Sequence, residues 1–225
     1  MRKIRSQRAK FTFRSEWFSW LAIIAIVGLA IWSYPLLPDL VPSHWNAAGE
    51  IDGYQSRLFH CSMFPGMTVG LYLLFLVLPF LEPRRLHFVK SWGFYSIIKN
   101  FMMGFFLLMF GITTWAALSE KPVPIGTIVP LAVGLLFIII GNYMPQIKSN
   151  FFMGIRTPWT LSSETVWQKT HLLGGYTFVI GGILFIVGTV LTPPLNLYLP
   201  LIGALVAVSL PVAYSYIAFL REERE

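Results

Sequence analysis

The chain has 225 residues, of which 56% are hydrophobic, 16% aromatic and only 12% charged. So little charge over such a length excludes an ordinary soluble domain and leaves a membrane protein. The 17 Lys and Arg against 10 Asp and Glu, net +7, invite nucleic acid as a partner, but the basic residues form no reading head and membrane topology accounts for them, so direct nucleic-acid binding is not expected.

Residues 1–16 form a basic arm, with Arg2, Lys3, Arg5, Arg8, Lys10 and Arg14. Beside a bilayer such an arm gains roughly 1 kcal/mol per charge from anionic headgroups. Crossing a hydrocarbon core of roughly 30 Å takes roughly 20 apolar residues, and the run from Trp17 to Leu37 is the first stretch of that kind. It is long for a signal-peptide core and ends in "IWSYPLLP", without a small-x-small cleavage site, so it is expected to remain as an anchor.

The loop 38–61 follows, read from the stretch "LPDLVPSHWNAAGEIDGYQSRLFH" that starts at Leu37. Asn46 with Gly49 three residues later fits a type I turn, and Asp52-Gly53 is a second turn signal. The expected form is a small folded hairpin, with Trp45 and Tyr54 at headgroup depth. The candidate binding residues here are His44, Trp45, Asn46, Gly49, Glu50, Asp52 and Gly53. His44, Glu50, Asp52 and His60 are of metal-ligating type, but their spacing matches no zinc pattern, and polar turn residues are the favoured reading. Cys61 is the only cysteine, which rules out an intrachain disulfide and makes it a small packing residue.

The remaining spans run from Ser62 to Leu81, Phe101 to Leu118, Val123 to Met144, Leu172 to Leu191 and Leu195 to Leu220. Short connections and helical lengths make the fold class all-α, a polytopic bundle of six transmembrane helices rather than a β-barrel of alternating ten-residue strands. Between the second and third spans, "EPRRLHFVKSWGFYSIIKN" reads as an inner-surface helix continuous with the third. With the N-terminus inside, only Arg57 and Lys121 fall on the outer face, so both termini are expected in the cytoplasm. Trp17, Trp20, Trp32, Tyr34, Trp92 and Tyr143 sit at span ends as interfacial anchors, with membrane lipids as partners and no cofactor implied. The central parts of the spans contain no Asp, Glu, Lys, Arg or His, which argues against an ion-coupled carrier. Lys99, at the inner edge of the third span, is expected to snorkel.

The polar stretch "GNYMPQIKSNFFMGIRTPWTLSSETVWQKTH" from Gly141 to His171, which contains the loop 144–171, is therefore expected to be cytoplasmic. Asn142 and Pro145 end the fourth helix, Gly154 permits a bend, and Arg156-Thr157-Pro158-Trp159 implies an extended connection. Ser162 or Ser163 is placed to cap the next helix, with Glu164 near its positive end. Glu164, Gln168 and His171 then share one helix face beside Trp167. Gly174, Gly181 and Gly188 repeat every seven residues, a smooth seam for a neighbouring helix. Asn142, Asn150 and Arg156 complete a hydrogen-bonding cap. The Arg156 fork suits a carboxylate or phosphate, or the tying of loop carbonyls. Glu164 with His171 would suit acid–base chemistry, but no nucleophile elbow, zinc helix or phosphate loop accompanies them, so an enzyme is not expected.

These two loops also carry a resemblance. "LPDLVPSHWNAAGEIDGYQSR" is similar to a bacterial domain of unknown function that often leads membrane proteins of this kind. "GNYMPQIKSNFFMGIRTPWTLSSETVWQKTHLLGG" resembles the SdpI family, whose named member confers immunity to a secreted toxic peptide. The Gly-Ile-Arg-Thr-Pro-Trp-Thr run with Trp167 and His171 carries most of it, and the likeness extends from about Trp17 onward. It divides the chain into 17–118, a three-helix unit, and 119–225, an SdpI-like unit. The resemblance implies a bacterial inner-membrane protein that protects against a secreted peptide toxin and holds a cytoplasmic transcriptional repressor at the membrane. The competing readings are a membrane-embedded enzyme acting on a lipid or peptide, with Glu164, His171 and Arg156 in its site, and an exporter of an apolar peptide.

Overall fold

A computed structural model describes residues 11–46 and 48–224. The basic residues from Arg2 to Lys10 lie outside the described part. Among the described residues, six helices are long and apolar enough to cross a membrane: α1 (Phe13–Ser33), α2 (Arg57–Leu81), α4 (Trp92–Leu118), α5 (Ile125–Tyr143, prolonged by a 3-10 turn over Met144–Gln146), α7 (Glu164–Gly188) and α8 (Leu195–Glu222). Two short helices, α3 (Arg85–Lys90) and α6 (Pro158–Ser162), and two strands, β1 (Leu40–Trp45) and β2 (Ile51–Ser56), complete the order. The chain divides into two compact units, Phe11–Leu76 with Ile97–Val129, and Val77–Ser96 with the chain from Pro130 onward.

In the first unit α1 starts at Phe13, four residues before the apolar run, because Thr12 and Ser15 form a reciprocal capping box that satisfies orphan N–H groups of the first turn. Pro35 has no N–H to continue the ladder, and α1 ends at Ser33, short of the expected Leu37. Ala22, Tyr72 and Met103 form one buried cluster and Ile26, Ala30 and Phe110 another, joining α1, α2 and α4. Because lipid is as apolar as these side chains, polar bonds between helices give packing its specificity.

The charge expected to snorkel does the opposite. Lys99 is 1% exposed and forms an ion pair with Glu16, which is 2% exposed. Tyr72 Oη donates to Glu16 at 3.1 Å and accepts from Trp20 Nε1 at 2.7 Å, and Ser19 bonds Asn100 at 2.9 Å. The extension of α1 past Trp17 brings Glu16 onto the helix, and a buried carboxylate holds the ammonium inside rather than letting it reach the interface. His60, also buried, bonds Thr114 at 3.0 Å and Gln55 at 3.1 Å.

The hairpin forms as expected at its tip. The Gly49 N–H donates to the Asn46 carbonyl at 2.9 Å, and the Asn46 side chain accepts from the N–H groups of Ala48 and Glu50. Gly49 has φ +81°, where a side chain is disfavoured. Asp52-Gly53, in contrast, is not a turn. Both lie in β2, where the antiparallel register slips between Pro42 and Trp45 and pairs His44 with Gly53. A Cβ on Gly53 would stand 2.9 Å from that of His44, so glycine accommodates the bulge. Arg57 fastens the base, pairing with Asp39 at 3.1 Å and donating to the Leu37 carbonyl at 3.4 Å.

In the second unit α7 carries two glycine faces. Gly181 and Gly188 lie against Gly203 and Pro200 of α8, so added Cβ atoms would stand 2.6 and 2.9 Å from them. Gly175 and Gly182 lie against Gly141 and Gly134 of α5, at 3.0 and 2.5 Å from the facing carbonyls. The heptad seam Gly174, Gly181, Gly188 is thus one of two, and backbones meet directly on both sides.

Candidate functional site

The polar stretch between α5 and α7 folds over the ends of α7 and α8 and is held by buried side chains. Asn150, fully buried, is its hub. Its Oδ1 accepts the N–H groups of Phe152 and Met153 at 2.8 and 2.7 Å, and its Nδ2 donates to the carbonyls of Lys148 and Met153 at 2.8 and 3.3 Å. One amide therefore replaces four missing backbone partners, as a buried loop requires.

Trp167 and His171 hold the same loop from α7. The Trp167 indole donates to the Ile147 carbonyl at 2.8 Å. His171 stacks on Trp167 with ring centroids 4.1 Å apart. Its Nδ1 faces the Trp167 carbonyl at 2.8 Å, and its Nε2 accepts the Ile155 N–H at 3.0 Å. These partners assign the neutral ring with its proton on Nδ1 and occupy both nitrogens. Gly154 passes over the ring at φ +93°, where a Cβ would lie 2.2 Å from Nε2. Only glycine fits there, for steric and backbone reasons together.

The connector is not extended beyond Thr157. Thr157 caps α6 in a capping box with Thr160, and Pro158 takes the first helical position, where its missing N–H costs nothing. Thr160 Oγ1 donates to the Ile155 carbonyl at 2.8 Å, Thr157 Oγ1 meets Ser215 Oγ of α8 at 3.0 Å, and the Trp159 ring lies 4.9 Å from that of Tyr216. Ser163 is the cap of α7, accepting the Val166 N–H at 3.2 Å.

A second clamp comes from the segment after α2. Glu82, 1% exposed, accepts the N–H groups of Arg84 and Phe151 at 2.8 and 2.9 Å. Arg84 donates to Ser149 Oγ and, at 3.1 Å, to the Leu161 carbonyl, and its guanidinium lies 4.9 Å from the Phe151 ring centroid. His87 Nδ1 lies 3.0 Å from the Ser149 carbonyl, and Ser91 Oγ accepts the Lys148 N–H at 2.9 Å. This segment is not continuous with the third span, because α3 ends at Lys90 and Ser91 separates it from α4. Glu82, Arg84, His87, Ser91, Ser149 and Ser215 were not anticipated as loop anchors. The available signal was Glu82, an acid opening an otherwise basic segment.

Of the expected cap, Asn150, Thr157, Trp167 and His171 converge as buried anchors, and Pro158 and Trp159 serve α6. Asn142 does not join them: it is exposed and donates to the Ile138 carbonyl of its own helix at 2.8 Å. Arg156 is exposed and ties the Phe151 carbonyl at 2.6 Å. Glu164 and Gln168 are exposed while His171 is buried, so the anticipated shared face is split. Glu164 Oε1 instead stands 3.5 Å from His87 Nδ1.

In the hairpin, His44 Nδ1 pairs with Asp52 Oδ1 at 2.5 Å, and the Asn46 amide donates to Glu50 at 3.0 Å. Among the described residues, no three His, Cys, Asp or Glu side chains gather as a metal-binding group. His60 faces Thr114 rather than His44 or Asp52.

These features define a multi-pass helical membrane protein whose polar loop is folded onto a glycine-packed pair of spans. Residues 146–215 match the SdpI/YfhL protein family, and residues 21–69 match a domain of unknown function (DUF1648). The first match runs from the end of the 3-10 turn after α5 through α6 and α7 into α8, and the second runs across α1, the hairpin and the start of α2. It is 29% identical over 135 residues to the "Immunity protein SdpI" of Bacillus subtilis (strain 168), covering 60% of this chain and 62% of that protein. The match therefore spans less than two thirds of that relative's length. No solved structure matches the chain.

Proposed function

We propose that the protein is an SdpI-like immunity protein of the bacterial inner membrane, protecting the cell from a secreted toxic peptide and presenting its cytoplasmic cap to a transcriptional repressor. The observation that carries this reading is the folded loop 144–171. It lies in the region that matches SdpI/YfhL, and its buried anchors hold an exposed surface of Arg156 and its neighbours in one arrangement. Such preorganisation lowers the ordering cost of recognising a partner. The distribution of Lys and Arg supports the orientation, with both termini and this loop inside and the hairpin outside. A division at about residue 118 into a ligand-meeting N-terminal part and a signalling C-terminal part belongs to the same reading.

Signalling requires that the peptide bind one packing of α5, α7 and α8 better than another. Close backbone contact along two glycine faces makes such packing sensitive to sub-ångström change. The enzyme reading loses its acid–base pair, since both nitrogens of His171 are bonded to backbone and Glu164 is directed to His87.

Cells carrying Arg156→Ala or Trp159→Ala and challenged with candidate secreted peptides test the proposal. Retained survival with lost repressor recruitment is the expected result. Unchanged survival together with unchanged recruitment would remove the loop from any role.

A further inference from the structure

The first unit contains a cleft of about 410 Å³ between the hairpin tip and the segment joining α4 to α5. Its volume falls in the range of sites that admit one or two side chains or a small ligand. Trp45 and Ile51 from the hairpin, Ala116 from the last turn of α4 and Val123 from the joining segment form apolar walls, with Glu50, Glu120 and Lys121 as the charged groups. Glu120 makes no hydrogen bond or ion pair among the described residues, and the Lys121 ammonium pairs with neither acid. The Lys121 backbone is fixed instead by Ser119, whose Oγ donates to its carbonyl at 2.9 Å and accepts its N–H at 3.1 Å. The cleft therefore offers carboxylates in excess over a chain whose net charge is +7, beside an indole suited to a neighbouring cation.

We propose that this cleft binds a cationic segment of a secreted peptide, with a Lys or Arg head held by Glu120 and Glu50 and an adjoining apolar side chain on Trp45 and Ile51. The assignment rests on the immunity reading for its source of ligand, and on the cleft alone for its chemistry. Two carboxylates against one ammonium disfavour an acidic ligand, and like-charge placement is what confers such discrimination.

The test uses the full chain in phosphatidylcholine nanodiscs, with empty nanodiscs as the blank. The probe is acetyl-Lys-Trp-Lys-amide carrying fluorinated tryptophan, titrated by fluorine NMR beside acetyl-Glu-Trp-Glu-amide. The cationic probe is expected to bind saturably and the acidic one about tenfold more weakly or not at all. Glu120→Lys, at an exposed position, is expected to weaken the cationic probe about fivefold or more, and Ser119→Trp, which fills the cleft, to abolish binding. Equal binding of both probes, or cationic binding indifferent to both variants, would overturn the proposal and assign the signal to lipid or another surface. Cell protection separates the two readings. Wild-type protection that Glu120→Lys leaves intact overturns the cleft alone, whereas probe binding without wild-type protection leaves the cleft standing and removes the immunity reading.

Discussion

Replacing Asn150 by alanine is the sharpest perturbation of the cap. The side chain satisfies two backbone N–H groups and two carbonyls and is fully buried, so no solvent stands ready to replace it. At about 1 kcal/mol for each of these bonds the cost is about 4 kcal/mol, before any further penalty for groups left unpaired. Asn150→Asp keeps the acceptor for Phe152 and Met153 but removes both donors, so it should cost about half as much in local order before any charge penalty. Hydrogen exchange on the protein in nanodiscs reads this directly at the Phe152 and Met153 amides. The expected result is exchange faster by two or more orders of magnitude in Asn150→Ala, since about 1.4 kcal/mol corresponds to tenfold. The glycine seams of α7 against α5 and α8 should keep their protection. Unchanged exchange at those two amides would refute the view that Asn150 holds the loop.

Three further outcomes follow from other contacts. Lys99→Met and Glu16→Gln should each destabilise the protein by about 3–5 kcal/mol by stranding a buried partner, while the double replacement recovers most of that loss; thermal unfolding in detergent checks the cycle. Gly182→Ala should cost about 1–3 kcal/mol through overpacking, because its Cβ would stand 2.5 Å from the Gly134 carbonyl, and the lowered unfolding temperature should persist when loop anchors are left intact. His171→Phe keeps a ring on Trp167 but removes the acceptor for the Ile155 N–H, so a loss of about 1–3 kcal/mol with faster exchange at Ile155 is expected.

The spans were legible because hydropathy is a local property, and the hairpin tip because Asn46 and Gly49 write their turn chemistry into four residues. Boundaries were less so, since Thr12 with Ser15 starts α1 in a polar context and Trp92 starts α4 well before the apolar run. Lys99 was misplaced for a different reason. Its partner Glu16 is 83 positions away, and no periodicity links two charges that become neighbours only when α1 packs on α4. The same holds for Arg84 and Ser149, 65 positions apart. Helical spacing placed Glu164 and His171 on one face, but the returning loop covers His171 and leaves Glu164 exposed. Pro158 fits both an extended segment and a first helical position, and the capping box of Thr157 with Thr160 decided between them.

The central claim is that the anchored loop faces the cell interior. Arg156→Cys in a Cys61→Ala background places one exposed thiol on it, and a membrane-impermeant maleimide applied to intact cells reports its side. The account predicts no labelling until the cells are permeabilised. Labelling of intact cells would invert the topology and contradict it.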